Sequence, residues 1–409
     1  MPDHETGSDA WWEEKRRSGI PEIEPDGAGG YRVTFWWRDP QGDEQISPVR
    51  RVWLYITGVT DHHQQSAPQS LERLPGSDVW RWQTCLSAGW RGSYCLIPSE
   101  DNHDFSAAAL QTPPDRTALR AGWRKLLPQA IADPFNSHSW RGGRGHATSA
   151  LHMPEAPPQP GWDEPAPDFT PPRCIEWRST RLGNQRRVWI FTAGAAPEGQ
   201  RPLAILLDGQ FWAQSMPVWP ALEAQTRRGQ LPPALYVLID VIDTAHRARE
   251  LPCNADFWLA VQQELLPLLR SLVSWREDPA TTVVAGQSFG GLSALYAGLH
   301  WPQTFGCVLS QSGSYWWPRR DGSGQLIEEL ASGSVGQAPL RIYLEAGLRE
   351  PLIHQAHSRL VPLLQRTQPS LIYRQIDGGH DALCWRGGLI NGLSALWSPA
   401  IAPTPQQTH

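Results

Sequence analysis

The pentapeptide GQSFG at residues 286–290 carries the strongest chemical signal in the sequence. It directly follows the apolar run TTVVA and directly precedes a helical pattern, LSALYAGLHW, that ends at Pro302. Small residues two positions on either side of Ser288 permit a tight strand-to-helix turn, which lifts the serine hydroxyl above the edge of a sheet. The pattern GxSxG also occurs in structural glycine-rich turns, but the flanking strand and helix favour a nucleophile of acyl transfer.

A serine nucleophile needs a histidine base and an acid that orients the base, and in this arrangement the acid precedes the base in the chain. His380 follows the apolar stretch LIYRQID and two glycines, which predicts a loop at the carboxyl edge of a parallel sheet. Glu350, three residues beyond the end of the run RIYLEAG, is the predicted acid. Glu345, inside that run, and Asp377, close to the base, are the alternatives. The histidines in helical stretches are interpreted as structural: His300, His354 and His357.

An oxyanion hole needs two N–H groups aimed at the developing negative charge. The residue after the nucleophile, Phe289, supplies the first. The turn after the run PLAILLDG, where Gly209 permits sharp curvature, supplies the second from Gln210, with Phe211 as the alternative. No histidines have the spacing of metal ligands, and the motifs HExxH and GxxxxGK[ST] are absent, so we expect no metal and no cofactor.

The elements that position these residues fall into two patterns. From residue 31 to about residue 99 the sequence alternates in short stretches (YRVTFWWRD, VRRVWLYIT, VWRWQTCL, GSYCLIP), which predicts a small antiparallel β-sandwich. After a proline-rich segment, seven apolar runs alternate with helical stretches, which predicts a mostly parallel sheet flanked by helices. We therefore predict an all-β domain with a basic glycine-rich loop at 1–153, a linker at 154–172, and an α/β-hydrolase domain at 173–400.

Composition restricts the class of protein. The chain has 409 residues, of which 40% are hydrophobic and 19% charged, so it can bury a core in each of two domains. A net charge of −5 argues against nucleic-acid binding. No apolar run reaches ~18 residues and the first residues are acidic where a secretory signal is basic, so we expect no membrane association and a cytoplasmic location. The six cysteines are scattered and form no CxxC pair, so we interpret them as buried free thiols.

Five stretches together closely resemble the enterochelin (enterobactin) esterases: LLDGQFWAQSMPVWPAL, HRARELPCNADFWLAVQQELLPLL, AGQSFGGLSALYAGL, LEAGLREPLI and DGGHDALCWRGGL. The earlier stretch DPFNSHSWRGGRGHATSALHMP is also similar to this family, so the resemblance spans nearly the whole chain. The resemblance implies an early-set, immunoglobulin-like N-terminal domain. It also implies a cytoplasmic esterase that cuts the serine trilactone of ferric enterobactin to dihydroxybenzoyl-serine units, with no obligate protein partner.

Ferric enterobactin is a trianion with aromatic catechol faces, so a chain of negative net charge must bind it through local cations and aromatic rings. The sequence holds 22 tryptophans, more than its phenylalanines and tyrosines together. Several arginines fall in predicted loops at the functional edge of the sheet. The residues that we predict to bind substrate are Arg141, Arg144, Arg249, Arg349 and Trp212.

Two other functions remain open at this stage. One is a carboxylesterase of the same superfamily that acts on feruloyl-sugar or thioester substrates, with the tryptophan-rich domain as a glycan-binding module. The other is a non-catalytic siderophore- or glycan-binding protein on a hydrolase scaffold. The presence of both Ser288 and His380 argues against a pure binding protein, because such a protein gains nothing from an exposed nucleophile.

Overall fold

The computed structural model describes residues 5–141, 145–320 and 323–398. This part of the chain forms two compact units. The first runs to Pro158 and also contains Ala346–Gln355 and Gln375–Arg386. The second contains Gln159–Glu345 and Ala356–Arg374, and continues from Gly387. Two short segments from the second half of the sequence, which hold Glu350 and His380, therefore belong to the first unit.

The first unit is built on an eight-stranded sheet in which each strand pairs with its neighbours in antiparallel fashion. The spatial order of the strands is β1-β2-β5-β4-β3-β6-β8-β7. The strands are β1 (Glu22–Pro25), β2 (Tyr31–Arg38), β3 (Arg51–Ile56), β4 (Gln69–Arg73), β5 (Val79–Leu86), β6 (Arg91–Ser99), β7 (Ser139–Arg141) and β8 (Ala147–His152). The helices are α1 (Asp9–Ser18), α2 (Ala107–Leu110) and α3 (Arg116–Leu126). The predicted antiparallel β domain is confirmed.

Strand β2 shows how alternation of side chains builds this unit. Its odd-numbered residues from Val33 to Trp37 join the main core of the domain. Trp36, on the opposite face, packs with Trp11 and Trp12 of helix α1. Both faces of the strand are thus buried, although a period-2 pattern alone predicts only one buried face.

The second unit is built on a mixed sheet with the order β16-β15-β14-β13-β11-β12-β10-β9. The five neighbouring strands β15, β14, β13, β11 and β12 pair in parallel. At one edge, β10 pairs with both β12 and β9 in antiparallel fashion. The strands are β9 (Arg173–Ser179), β10 (Asn184–Ala193), β11 (Leu203–Leu206), β12 (Ala234–Ile239), β13 (Val283–Gln287), β14 (Cys307–Gln311), β15 (Arg341–Gly347) and β16 (Ser370–Ile376). The predicted mostly parallel α/β fold is confirmed, and β9 is the strand that the sequence patterns did not reveal.

Within the part of the chain that the structure describes, seven helices lie between these strands and an eighth follows the last strand. They are α4 (Trp219–Arg227), α5 (Thr244–Glu250), α6 (Ala255–Ala260), α7 (Leu266–Arg270), α8 (Phe289–His300), α9 (Gln325–Ala331), α10 (Pro351–Thr367) and α11 (Ala382–Trp397). Asn254 caps α6 as its sequence position predicts, since its Oδ1 accepts the Phe257 N–H at 3.2 Å. A π-helical turn at Val261–Leu265 separates α6 from α7, directly before Pro267, whose ring cannot donate a backbone hydrogen bond.

None of the helices in the described ranges is long and apolar enough to cross a membrane.

A buried ion pair fixes helix α5 against strand β10. Arg186 Nη2 lies 2.6 Å from Glu250 Oε2, and the two side chains are only 1% and 5% exposed. Arg186 also donates to the carbonyl of Asp240 at 3.2 Å and to Asn184 Oδ1 at 2.8 Å. Because α5 carries Arg247, which reaches the nucleophile turn described below, this pair is part of the framework of the site.

We predict that Arg186→Met lowers the free energy of unfolding by about 3–5 kcal/mol, because it leaves the Glu250 carboxylate buried without its cation. Urea unfolding followed by circular dichroism measures this change. The double variant Arg186→Met/Glu250→Leu removes both charges and should recover most of the loss. A single variant as stable as the wild-type protein would contradict this role of the pair.

Candidate active site

Ser288 lies in the strained turn that joins β13 to α8. Its backbone has φ 59° and ψ −121°, a conformation that L residues rarely adopt and that costs about 1–3 kcal/mol. Two backbone hydrogen bonds hold the turn: the Ser288 N–H donates to Gln311 O, and the Ser314 N–H donates to Ser288 O, both at 3.0 Å. A side chain at Gly286 would place its Cβ 2.3 Å from the carbonyl oxygen of Gly290, so the turn requires glycine there. This is the geometry of a nucleophile elbow.

One ion pair joins the turn after β11 to the nucleophile turn. Asp208 has a left-handed φ of 52°, and its carboxylate accepts hydrogen bonds from Arg247 Nε at 2.6 Å and from Arg247 Nη2 at 2.8 Å. Arg247 Nη2 also donates to the carbonyl of Gln287, the residue before Ser288, at 3.3 Å. Burial alone would lower the pKa of Arg247, but the charge of Asp208 outweighs it and raises this pKa. Arg247 is therefore a fixed cation whose charge Asp208 already pairs.

The two residues predicted to form the oxyanion hole lie on these two turns. Phe289 is the first residue of α8, and the first N–H groups of a helix have no acceptor within the helix. Gln210 lies two residues after Asp208, and its side-chain Oε1 accepts the Val241 N–H at 3.2 Å. Their role as oxyanion donors stays a prediction. It is supported by the position of each residue beside a turn that hydrogen bonds fix in place.

A buried chain of hydrogen bonds lies behind the nucleophile turn. The indole N–H of Trp212 donates to Gln287 Oε1 at 3.0 Å, Gln287 Nε2 donates to Gln311 Oε1 at 2.9 Å, and Gln311 Nε2 donates to Glu345 Oε1 at 2.8 Å. Trp212 is 1% exposed, so the structure places it in the core rather than at a surface that a ligand could reach. Glu345, one of the alternative acids, is the last acceptor in this series of hydrogen bonds. It also accepts a hydrogen bond from the Tyr343 hydroxyl at 3.3 Å.

The first unit contains the predicted acid and base in direct contact. Glu350 Oε1 lies 2.6 Å from His380 Nδ1, and Glu350 Oε2 accepts the Gly347 N–H at 2.7 Å. The Glu350 side chain is 1% exposed and the His380 side chain 19% exposed, so the carboxylate is buried behind a ring that reaches solvent. Asp377, the other alternative acid, instead accepts hydrogen bonds from Arg349 Nε at 2.8 Å and from the Ser87 hydroxyl.

Further polar groups of the first unit face the histidine. The His63 ring lies 5.2 Å from the His380 ring, and the Trp385 ring approaches His380 edge-on at 4.8 Å. Burial raises the pKa of Asp61 to about 6, against hydrogen bonds from its neighbours and the influence of His380, both of which lower it. Burial likewise raises the pKa of Asp381. No local motif predicted Asp61 or His63 at this position, because each lies more than 300 positions before His380 in the sequence.

The residues predicted to bind substrate have different surroundings. Arg249 is exposed on α5. Arg349 is part of the ion pair with Asp377, and its Nη2 also lies 3.3 Å from the Ser87 hydroxyl. Arg141 ends β7, with a side chain that the structure does not describe, and Arg144 lies outside the described residues.

A row of two aromatic rings with a cation at each end starts at the nucleophile turn, and we call it the cation–aromatic row. The Arg247 guanidinium lies 5.7 Å from the Phe289 ring, Phe289 lies 5.9 Å from Trp316, and the Arg320 guanidinium lies 4.9 Å from Trp316. Both aromatic rings are half-buried and Arg320 is exposed.

Within the described ranges, no group of three or more histidine, cysteine or acidic side chains could hold a metal ion. The second unit contains a serine in an elbow turn and the first unit contains a buried carboxylate paired with a histidine. These groups suit acyl transfer by a serine nucleophile.

The parallel sheet and the elbow define the class of protein as an α/β-hydrolase. Two family models match the chain, "Enterochelin esterase, N-terminal" over residues 32–162 and "Putative esterase" over residues 179–396. An iron(III) enterobactin esterase of Escherichia coli O6:H1 is 63% identical over 395 residues, which cover 96% of this chain and 97% of that protein. An iron(III) salmochelin esterase of the same organism is 30% identical, over 94% of this chain and 93% of that protein.

Solved structures agree with these matches. The ferric enterobactin esterase of Salmonella typhimurium is 62% identical with a TM-score of 0.92, over 95% of this chain and 98% of that one. A structure of the Shigella flexneri enterobactin esterase, determined in the presence of enterobactin, is 61% identical with a TM-score of 0.88, over 96% of this chain and 99% of that one. The chain belongs to the enterochelin esterase family.

We predict that Glu350→Gln lowers kcat for ester hydrolysis by one to several orders of magnitude, because an amide neither orients His380 correctly nor stabilises its protonated form. Asp377→Asn is the matched control, since Asp377 pairs with Arg349 instead, and we expect it to do much less. Steady-state kinetics, with circular dichroism as a check of folding, measures both. A folded Glu350→Gln protein with wild-type kcat would exclude Glu350 as the acid.

Proposed function

We propose that this protein is a serine esterase that hydrolyses the trilactone ester bonds of ferric enterobactin, and its linear products, to dihydroxybenzoyl-serine units, and that this hydrolysis releases iron in the cytoplasm. The observation that carries the proposal is the buried Glu350 carboxylate bound to His380 in a chain of the enterochelin esterase family. The iron is cargo of the substrate, and the reaction uses only groups of the protein and water.

In this proposal Ser288 Oγ attacks a lactone carbonyl while His380 Nε2 takes the hydroxyl proton. Glu350 holds Nδ1–H of the ring, so that Nε2 is the basic nitrogen, and its charge stabilises the imidazolium that forms. The Phe289 and Gln210 N–H groups receive the oxyanion. Collapse of the tetrahedral intermediate breaks the lactone C–O bond, and His380 returns its proton to the serine alkoxide of the substrate that leaves.

Water then removes the acyl group from Ser288. In this second half of the reaction water is the nucleophile and Ser288 is the leaving group. His380 takes a proton from water, the hydroxide adds to the ester carbonyl, and Ser288 leaves with the proton that His380 returns. Each ester bond consumes one water molecule, so three rounds convert the cyclic trilactone to three dihydroxybenzoyl-serine units.

Charge and aromatic surface near the elbow support an aromatic anion as the substrate. Arg320 and Trp316 form the exposed end of the cation–aromatic row, and Arg249 is exposed on α5. Arg247 belongs to the framework, because Asp208 neutralises it. A catecholate ring can stack on the Trp316 face while its negative charge lies beside Arg320.

We predict that Ser288→Ala abolishes hydrolysis of ferric enterobactin while the protein still binds it. Removal of the nucleophile from a triad costs on the order of 10⁴–10⁶ in turnover. Chromatography of the products after incubation, together with quenching of intrinsic fluorescence by the ferric ligand, measures the two effects separately. If the folded variant kept more than a few per cent of wild-type turnover, Ser288 would not be the nucleophile.

We also predict that Trp316→Ala raises KM for ferric enterobactin about 2- to 13-fold, as loss of one aromatic contact worth ~0.5–1.5 kcal/mol implies. Trp316→Tyr keeps a ring at this position and should stay near the wild-type KM. A neutral small ester, p-nitrophenyl acetate, serves as the control substrate and should show no change. Equal effects on both substrates would mean that Trp316 supports the elbow rather than binding the siderophore.

A further inference from the structure

The loop between β3 and β4 of the N-terminal domain contacts the segment that carries the base. The backbones of Gly58 and Gly379 lie so close that a Cβ added at Gly379 would be 2.6 Å from the Gly58 nitrogen. Gly58 also has φ +80°, a conformation that favours glycine. The residue next to the catalytic histidine in the sequence is thus in direct contact with the N-terminal domain.

The same loop reaches the segment that carries the acid. Gln64 Nε2 donates to the backbone carbonyl of Arg349, the residue before Glu350, at 3.0 Å. It also donates to Asp61 Oδ1 at 3.1 Å, so one amide group bonds with two acceptors. Gln64 and Asp61 come from the N-terminal domain, and Arg349 comes from the second half of the sequence.

Asp61 shapes the loop so that Gln64 can make this contact. Its Oδ2 accepts the Gly58 N–H at 2.9 Å, and its Oδ1 accepts the His63 N–H at 3.1 Å in addition to the amide of Gln64. A buried carboxylate with this many donors is held in one position, and it holds the donors in turn. Asp61 therefore connects the Gly58 contact to the Gln64 contact.

The bonded carbonyl is part of a short network that sets the position of Glu350. The Arg349 N–H donates to Gly378 O at 3.1 Å, so Arg349 is held from its amide side by the segment that carries His380 and from its carbonyl side by Gln64. A second, independent contact comes from β6, where the Ser93 N–H and hydroxyl donate to the two carboxylate oxygens of Asp381, at 2.6 and 3.0 Å. The N-terminal domain thus holds the residues on either side of the acid–base pair.

We infer that Gln64, held by Asp61, is a positioning residue for ester hydrolysis, which fixes the Arg349 carbonyl and through it the alignment of Glu350 with His380. The inference rests on the proposed function, since it takes these two residues to be the acid and the base. If so, the N-terminal domain contributes to the chemical step for every ester substrate. This contribution is separate from any role in binding the siderophore. Its consequence is a loss of kcat without a matching change of KM.

Gln64→Met tests this inference, because methionine has a similar length and no hydrogen-bond donor. We expect kcat to fall about tenfold, less than the ~10²-fold that a 1 Å misplacement of a reacting group costs. The fall should be the same for ferric enterobactin and p-nitrophenyl acetate, with KM changed less than twofold. The far-downfield proton resonance of the His380–Glu350 hydrogen bond, assigned by its loss in Glu350→Gln, should shift or broaden.

Gln69→Met is the matched control. Gln69 begins β4 of the same domain and is also half-buried, but its Nε2 donates to Ala67 O at 2.9 Å, only two residues away. We expect wild-type kinetics and an unchanged downfield resonance. Should Gln64→Met fail to fold, Ser93→Ala removes one donor to Asp381 from the other side of the pair, and about a threefold loss of kcat on both substrates is expected.

Three results would overturn the inference: wild-type kcat in a folded Gln64→Met protein, a loss confined to ferric enterobactin, or an equal loss in the control variant. The first two would leave the proposed function intact, because they concern only how the base is held. The variant His380→Gln distinguishes failure of this inference from failure of the proposed function. Wild-type hydrolysis by a folded His380→Gln protein would overturn the proposed mechanism and the inference together.

Discussion

A buried carboxylate is the constraint from which the arrangement of the acid and base follows. Removing an ionised group from water costs several kcal/mol unless other groups replace its hydration. Glu350 is 1% exposed, and the Gly347 N–H and the His380 ring occupy its two oxygens. The end of β15, the start of α10 and the loop after β16 must therefore meet at this point. Any rearrangement that separates them leaves a charge unpaired, so this contact fixes the orientation of the His380 ring.

The nucleophile turn depends on a different constraint, which is backbone strain. Asp208 and Ser288 both have positive φ, and each lies within two residues of the end of a buried parallel strand. Such conformations persist only where the surroundings hold them. Arg247 bonds to Asp208 and to the carbonyl before Ser288, while β14 and the turn after it bond to the Ser288 backbone. The Arg247–Asp208 ion pair therefore holds two strained turns in place.

Local sequence determines much of what could be predicted. The elbow, the parallel strands and the antiparallel N-terminal strands each follow from patterns within about ten residues, and the structure confirms those elements. The positions of Ser288, His380 and Glu350 on loops at strand ends also followed from such patterns, while their roles remain proposals.

Interactions between distant residues account for what could not be predicted. Trp212 is buried with its indole N–H bonded to Gln287, 75 positions away at the end of β13, and Arg349 is paired with Asp377, which lies on a different segment. Helix α1 covers β2 although no pattern in β2 indicates a partner. The contact of Gln64 with Arg349 joins residues 285 positions apart, and hydrophobic periodicity carries no information about such a contact.

The central claim is that Ser288 is the nucleophile for ferric enterobactin, and Ser314, whose Oγ lies 3.4 Å from Ser288 Oγ, is a rival. Titration with diisopropyl fluorophosphate, followed by peptide mass mapping and product chromatography on the same samples, tests this claim most directly. The account predicts one label per chain, on Ser288, and loss of hydrolysis in proportion to labelling. A label on Ser314 instead, or full hydrolysis of ferric enterobactin by a completely labelled protein, would contradict it.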